Sequence, residues 1–287
     1  MLAAVGAFTI WGGLPLYLKP LARIAATTII AHRLVWCFAF VIVWLTAHGQ
    51  LGAVREALRG RATRVRLLGS ATLISANWLV YVWAVGNGHV IDASLGYFIN
   101  PLVNVLLGVA LLGERLNRVQ WLAIASAFAG VAWLTELTGR LPWIALTLAF
   151  SFSGYGLIRK VVAVDAVVGL AAETALVTPF GVAWLAWQQW RGPGAFGPDV
   201  FHGVWLFLSG LVTAVPLALF AFGAKRILYS TVGIVQYIGP SLQLALGVLL
   251  FGEAFPPARA MGFGLIWAAL VIYAGEGIWR LRRRAEA

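Results

Sequence analysis

The chain has 287 residues, of which 61% are hydrophobic and only 11% charged, and its mean hydropathy is +0.89. Since roughly a quarter of the residues of a soluble domain are charged, this composition excludes a soluble globular protein and indicates an integral membrane protein. The formal charge is +11, but the basic residues stand in short clusters between long apolar runs, which is typical of charges that orient a membrane protein. We expect the lipid bilayer as a partner and no nucleic acid. Cys37 is the only cysteine, which excludes an intrachain disulfide and a cysteine-based metal cluster.

Ten apolar runs follow one another along the chain, separated by glycine, proline and charge clusters. A helix needs roughly 17 to 25 apolar residues to cross the hydrocarbon core of a bilayer, and each run has about that length. The predicted fold class is therefore all-α, an integral membrane protein with ten transmembrane helices. The predicted spans are 2–18, 27–47, 67–86, 93–112, 119–137, 142–158, 168–189, 203–223, 231–251 and 260–279.

The first span, 2–18, begins almost at the first residue. It lacks the basic lead-in and the cleavage site of a signal peptide, so we predict that it is kept as a helix. Because hardly any residue precedes this span, we expect either a longer natural N-terminus or a misassigned start codon.

The connections between spans are alternately rich and poor in lysine and arginine. Fifteen of them stand in the connections after every second span and in the C-terminal tail. The opposite side collects Lys19, Arg23, Arg140, Arg191 and Arg259. Because basic residues remain on the cytoplasmic side of a membrane, we predict a multi-pass protein of the inner (plasma) membrane with both termini in the cytoplasm.

The sequence contains an internal repeat. An offset of 139 residues aligns INPLVNVLLGVALLGE (99–114) with IGPSLQLALGVLLFGE (238–253), which divides the chain into two five-helix halves, 1–138 and 139–287. Matched pairs at this offset or at 141 are Pro101 with Pro240, Asn104 with Gln243, Glu114 with Glu253, Trp11 with Phe152, and His32 with Glu173. Because five is odd, the second half enters the membrane inverted, as in transporters that alternate access by rocking two halves. A duplication that only builds a helical bundle is the alternative.

Two equivalent helix faces carry amides and a proline at spacings of three and four. They comprise Tyr97, Asn100, Pro101 and Asn104 in the fourth span, and Gln236, Pro240 and Gln243 in the ninth. An unpartnered amide in hydrocarbon costs several kcal/mol, so both faces should look inward. The partner of these amides is open between a ligand-filled cavity and neighbouring helices, where each would contribute about 0.6 to 2 kcal/mol.

From these patterns we predict a central cavity bordered by the third, fourth, eighth and ninth spans. Its candidate substrate-binding residues are Trp11, Asn77, Tyr81, Tyr97, Asn100, Asn104, Gln236, Tyr237 and Gln243. The amides would orient a small polar or zwitterionic solute, and the aromatic rings would contact its apolar part. Proline supplies the candidate bending points, Pro15, Pro101, Pro216 and Pro240.

Three ionisable residues lie inside predicted spans: His32, Arg33 and Glu173. Such residues are functional candidates by default, and His32 or Glu173 could carry a coupling proton, since desolvation and mutual attraction could bring the pKa of either near physiological pH. All three are near span ends, so snorkelling, capping or pairing is the alternative.

No motif of a known enzyme class is present in the sequence, which contains no HExxH, GxSxG or P-loop. We therefore predict no enzyme, cofactor or metal. Two other functions stay open. A membrane enzyme would bring His32, Arg33 and Glu173 into one wet pocket, and a lipid-handling protein would place them along a groove open to lipid.

Five segments resemble the RarD group of the EamA-type transporters, in the drug/metabolite transporter superfamily. They are AHRLVW (31–36), NWLVYVWAV (77–85), SLGYFINPLVN (94–104), LGER (112–115) and QYIGP (236–240), and the similarity runs through nearly the whole chain. The resemblance implies ten helices in two inverted repeats, a bacterial inner membrane, and export of small metabolites or drugs without ATP. It implies an amino-acid-like or phenicol-like small-molecule substrate and no obligate protein partner.

Overall fold

A computed structural model describes residues 1–86, 90–137, 139, 143–192, 194–250 and 256–285. All regular structure within these ranges is helical, as the composition predicts. The α-helices are α1 (Leu2–Gly12), α2 (Leu14–Leu18), α3 (Ala26–Ala47), α4 (Leu51–Arg59), α5 (Arg61–Gly86), α6 (Val90–Leu112), α7 (Arg118–Glu136), α8 (Trp143–Val161), α9 (Ala166–Arg191), α10 (Val200–Ala224), α11 (Tyr229–Val235), α12 (Ile238–Leu249) and α13 (Pro257–Ala285). A 3₁₀ turn covers Lys19–Leu21.

Eight helical stretches are long and apolar enough to cross a membrane, which makes the chain a multi-pass membrane protein. They are Leu2–Leu21, Ala26–Ala47, Arg61–Ala84, Leu95–Leu112, Arg118–Glu136, Ala166–Arg191, Val200–Ala224 and Tyr229–Leu249. Eight predicted spans lie on these stretches. The other two, 142–158 and 260–279, fall on α8 and α13, which are not among these eight; within the described residues the apolar part of α13 is the shorter stretch Pro257–Tyr273. The count of ten crossings therefore stays a prediction.

Local sequence explains where several helices begin and end. Asn117 and Gln120 form a capping box at the start of α7, with side-chain bonds of 2.7 and 3.0 Å to each other's backbone N–H. Asp199 caps α10 by accepting from the backbone N–H of His202 at 2.9 Å, and the bonds from His202 lower the pKa of this carboxyl. Gly113 ends α6 with φ +66°, a conformation that glycine adopts without strain.

The predicted first and ninth spans are interrupted helices. The first breaks at Gly13, between α1 and α2, and Pro15 stands in the first turn of α2. The ninth breaks at 236–237, between α11 and α12, and Pro240 stands in the first turn of α12. Proline is tolerated in a first turn because the missing N–H has no intrahelical acceptor there. The other two predicted bending points lie inside continuous helices, Pro101 in α6 and Pro216 in α10.

The basic connection 49–66 contains structure that the sequence analysis does not predict. It forms α4 and the first turns of α5, and α4 contacts α9. Val54 is the buried residue of α4, while the arginines of the same helix face outward. The segment is too short and too polar for a membrane span, so a search for spans passes over it.

Close contacts between helices require glycine at two positions. A Cβ atom on Gly210 would lie 2.4 Å from the backbone carbonyl carbon of Trp36, where α10 crosses α3. A Cβ atom on Gly233 would lie 2.7 Å from the carbonyl oxygen of Pro101, where α11 crosses α6. Both distances are too short for a side chain, so each glycine allows two backbones to approach closely.

Candidate functional site

A cavity, here called the central cavity, lies between helices of the two halves of the chain. Its lining comes from α1, α2, α3, α5 and α6 on one side and from α8 and the α11–α12 segment on the other. The lining residues are Phe8, Trp11, Leu14, Arg33, Asn77, Trp78, Tyr81, Tyr97, Phe152, Gln236, Gly239, Pro240 and Gln243. The cavity volume is about 40 Å³, well below the roughly 150 Å³ of a cavity that holds benzene.

The broken helices meet at this cavity. Gln243 of α12 donates from Nε2 to the carbonyl oxygen of Trp11 at 3.0 Å, next to the break that ends α1. The Trp11 ring contacts Phe152 edge to face, with 5.5 Å between centroids. The structure therefore brings together two of the predicted binding residues, one from each half, and joins them by a direct bond.

Asn77, Tyr81, Tyr97 and Gln236 also line the cavity, as predicted for substrate-binding residues. Nδ2 of Asn77 donates to the carbonyl oxygen of Leu148 at 2.9 Å, so part of this amide holds α5 against α8. Tyr81 and Tyr97 contact each other edge to face at 5.4 Å. Each residue thus combines cavity lining with contacts between helices.

Three predicted binding residues lie outside the described lining of the cavity. Asn100 accepts from the hydroxyl of Ser153, and Asn104 donates to Oε1 of Gln236 at 2.7 Å. The Tyr237 hydroxyl donates to a carbonyl oxygen of α6 at 3.2 Å. All three are buried between helices, which is the arrangement of the interhelical alternative, and their part in binding stays a prediction.

Two phenylalanines that line the cavity, Phe8 and Phe152, are absent from the sequence-based set. Phe152 matches Trp11 in the repeat at an offset of 141, so the repeat carried the signal for it. Phe8 lies one helical turn before Trp11 and contacts its ring at 5.5 Å. No polar group marks either phenylalanine, and a search guided by polar residues misses both.

Arg33 points into the central cavity from α3. The side chain is 2% exposed to solvent, and Nε donates to the hydroxyl of Thr213 at 3.0 Å. The guanidinium carbon lies 4.4 Å from the ring centroid of Trp78, an attractive cation–π geometry. These two contacts fix the plane and the direction of the guanidinium.

Neutral hydrogen bonds join α3 to the connection before α10 at one end of the bundle. His32 is fully buried; its Nε2 lies 2.6 Å from the carbonyl oxygen of Ala195, and its Nδ1 accepts from Trp36 at 3.0 Å. Since an indole nitrogen only donates, Nδ1 carries no proton and the imidazole is neutral. Tyr17 and Trp205 bond each other through side chain and backbone in both directions. The His32 end comprises Tyr17, Thr28, His32, Trp36, Gln188, Ala195 and Trp205.

Buried charges join α5, α8 and α9 at the other end. Glu173 is 2% exposed, and its Oε1 lies 3.5 Å from Nη1 of Arg159. The same carboxylate accepts from the hydroxyl of Ser70. Nη2 of Arg159 donates to the carbonyl oxygen of Ala166 at 2.7 Å. Each member of the pair thus has one further hydrogen bond, while Nε and Nη1 of Arg159 are buried without a hydrogen-bond partner among the described residues.

Glu114, whose repeat partner Glu253 lies outside the described residues, also belongs to this end. Its carboxylate accepts from the backbone N–H groups of Tyr229 and Ser230 at 2.6 and 3.0 Å and so caps α11. Lys160 donates to two carbonyl oxygens at and after the end of α10. Burial lowers the pKa of Lys225, which lies in this connection. The Glu173 end comprises Ser70, Glu114, Arg159, Lys160, Glu173 and Lys225.

His32 and Glu173 lie at opposite ends of the bundle. Glu173 stands near the start of α9, and Gln188 near its end accepts from Thr28 of α3 at 2.8 Å. The helix between Glu173 and Gln188 is about 22 Å long. The structure does not bring His32 and Glu173 together, so mutual attraction between them has no geometric basis.

Comparison with known proteins shows that the chain is similar to transporters. The EamA-like transporter family matches residues 1–135. The chain is 44% identical over 288 residues to a protein named RarD of Streptomyces exfoliatus. This alignment covers 100% of the present chain and 91% of the Streptomyces protein. It is 40% identical over 279 residues to an uncharacterized transporter of Vibrio cholerae, and this alignment covers 97% of the present chain and 92% of the Vibrio protein. A solved crystal structure with 21% identity superposes with a TM-score of 0.70 over 94% and 95% of the two chains, which shows the fold alone.

Proposed function

This chain belongs to the RarD group of the EamA-like transporter family, in the drug/metabolite transporter superfamily, and we propose that it exports small solutes by alternating access. In this proposal it is a secondary transporter of a bacterial inner membrane, and its substrates are metabolites or drugs of amino-acid-like or phenicol-like size. The observation that carries the proposal is the central cavity, because both halves of the chain contribute to its lining.

The size of the cavity supports an opening movement. A cavity of about 40 Å³ is too small for an amino acid or a phenicol, because a cavity that holds benzene has roughly 150 Å³, so a solute of that size requires helices to move apart. The breaks at Gly13 and at 236–237 interrupt the two helices that meet at the cavity. We propose that these breaks are the points at which the helices bend.

Ten crossings in two inverted repeats, 1–138 and 139–287, are part of the proposal. The helix contacts support it because they are reciprocal: α3 contacts α10 as α9 contacts α5, and α1 contacts α12 as α8 contacts α6. Each pair maps onto the other when the two halves are exchanged. This pattern is expected of an inverted repeat.

The distribution of basic residues supports an orientation with both termini in the cytoplasm. The Glu173 end lies beside the arginine- and lysine-rich connections, and the His32 end beside the poor ones. In this orientation the Glu173 end faces the cytoplasm and the His32 end the outside. Closing each end in turn would give the cavity access to the two sides alternately.

The enzyme alternative needs Arg33, His32 and Glu173 in one pocket, and the lipid-handling alternative needs them along one groove that is open to lipid. Arg33 lines the cavity, His32 is bonded within its own end, and Glu173 is paired at the opposite end. Neither alternative has an observation in its favour, and we propose that the protein is not an enzyme.

Transport by purified protein in liposomes tests the proposal. A pool of amino acids, phenicols and metabolites is supplied, and the internal contents are read by mass spectrometry with and without a proton gradient. We expect selective movement that depends on the gradient and is absent from protein-free liposomes. No movement of any solute, by protein shown to be folded, would contradict the proposed function.

Two variants separate cavity lining from interhelical bonding. Gln243→Leu removes an amide that lines the cavity, and we expect it to abolish transport while leaving the protein folded. Asn100→Leu removes an amide bonded to Ser153 outside the described lining, and we expect it to lower thermal stability first. Full transport by Gln243→Leu would remove this residue from the binding site.

A further inference from the structure

Arg33 is a buried cation without an anionic partner among the described residues. Within the described residues its single hydrogen bond is the one from Nε to Thr213, and no carboxylate lies within ion-pair distance. The titratable groups around it are Tyr17, Cys37, Tyr81 and Tyr97, none of which is acidic at neutral pH. Both Nη nitrogens therefore have donors without a protein acceptor.

A charge kept in this state needs a reason, because removal of an ion from water is costly unless an opposite charge compensates it. Arg159, the other buried arginine of the described bundle, has Glu173 as that compensation. Arg33 instead lines the central cavity, where a ligand can reach it. An anion in the cavity would supply the missing partner.

The rest of the lining selects the kind of anion. None of the described residues that line the cavity is acidic, so no fixed negative charge there matches a cationic head group. Phe8, Trp11, Trp78 and Phe152 supply apolar ring surface beside the arginine. Thr213 and Trp78 hold the guanidinium in one orientation, which leaves its Nη edge for the two oxygens of a carboxylate.

We propose that Arg33 binds the carboxylate of the transported solute, so that the cavity selects organic carboxylates with an apolar body over neutral or cationic solutes of the same size. This proposal rests on the transport function proposed above and narrows its substrate class. It predicts that amino-acid-like solutes bind through their carboxylate. Neutral phenicol-like solutes would bind less tightly.

A series of ligands with one body and different head groups tests the proposal. Phenylpropionate, phenylalanine, phenylpropionamide and phenylpropylamine are titrated into the purified protein by calorimetry. We expect the wild type to prefer phenylpropionate to phenylpropionamide by about tenfold or more, since charge-assisted bidentate bonds are the strong ones. We expect phenylalanine between them and phenylpropylamine weakest.

Variants assign the preference to Arg33. In Arg33→Gln the preference for phenylpropionate over the amide should fall to about onefold, and in Arg33→Lys it should be reduced because an ammonium lacks the planar fork. The matched control is Arg191→Gln. Arg191 also lies over an aromatic ring, 4.7 Å from the Trp187 centroid, but it is exposed at the end of α9. This control should keep the wild-type preference.

The outcomes separate this proposal from the transport function. Equal binding of phenylpropionate and phenylpropionamide by the wild type overturns the carboxylate proposal, even if both move across liposomes. Binding of no member of the series also overturns it. Carboxylate binding that depends on Arg33 but produces no movement across liposomes supports the proposal and contradicts the transport function.

Discussion

At the Glu173 end, α5, α8 and α9 are joined by a buried ion pair, whereas at the His32 end α3 and the connection before α10 are joined by neutral hydrogen bonds. Each end contains an ionisable residue, and these two residues, Glu173 and His32, occupy equivalent positions of the repeat. The carboxylate is paired with Arg159 at 3.5 Å, while the imidazole is neutral between Trp36 and Ala195. Equivalent positions of the repeat thus hold the two ends of the bundle together, but by different kinds of contact.

This difference predicts different sensitivity to protons. Protonation of Glu173 would remove half of an ion pair, so closure of that end would weaken. Protonation of His32 at Nδ1 would remove the acceptor that Trp36 needs, so this bond favours the neutral imidazole. If transport is coupled to protons, we therefore expect Glu173 to be the coupling residue.

The largest effect is expected at the Glu173 end. Arg159→Met leaves the Glu173 carboxylate buried and without its cation, and we expect the free energy of unfolding to fall by about 3 to 5 kcal/mol. Arg159→Met combined with Glu173→Leu removes both charges and should recover most of the loss. Unfolding of the purified variants in detergent measures both. If the double variant is no more stable than the single one, the ion pair does not account for the closure.

A smaller effect is expected at the cap of α11. Glu114→Ala removes the acceptor of two backbone N–H groups, those of Tyr229 and Ser230, and should cost about 1 to 2 kcal/mol of unfolding free energy. The same unfolding measurement checks this value. Glu136→Ala is the control, because Glu136 is exposed at the end of α7. An equal loss in the two variants would mean that the cap contributes nothing.

A smaller loss of unfolding free energy is expected at the His32 end. Trp36→Phe removes the donor to Nδ1 of His32, a bond of 3.0 Å, and should cost about 1 kcal/mol. Trp190→Phe changes an indole that is 85% exposed and serves as the control. A loss from Trp36→Phe as large as that from Arg159→Met would break the distinction between the two ends.

The sequence predicts the helices well because hydropathy is a local property, and eight predicted spans lie on apolar helices. It misses α4, whose short amphipathic pattern resembles a basic loop. The break at 236–237 lies about one turn before Pro240, a predicted bending point, because a proline ring clashes with the carbonyl of the fourth residue before it. In the cavity it identifies the residues that carry amides or lie beside glycine and proline, such as Gln243 and Trp11. It misses Phe8 because an apolar side chain in an apolar chain carries no signal, and it misses Phe152 although the repeat matches this residue with Trp11.

The relation between His32 and Glu173 shows a different limit. Sequence analysis pairs them because they match in the repeat, yet equivalent positions of an inverted repeat lie at opposite ends of the bundle. The inversion itself therefore argues against a contact between them. The surroundings of Arg33 could not be predicted, since they depend on Thr213 and Trp78, which approach from two other helices.

The smallest effect on stability is expected from Arg33→Met, and its contrast with Arg159→Met gives the sharpest comparison of two buried arginines. Arg33→Met removes a hydrogen bond and a cation–π contact, each worth about 0.5 to 2 kcal/mol, but it also removes the cost of a buried charge that has no partner, and it leaves no opposite charge behind. We expect the free energy of unfolding to stay within about 1 kcal/mol of the wild type or to rise, while binding of phenylpropionate is lost. Unfolding and calorimetry on the same preparation measure both quantities. A loss of stability as large as that of Arg159→Met would mean that Arg33 has a structural partner and is not kept for a ligand.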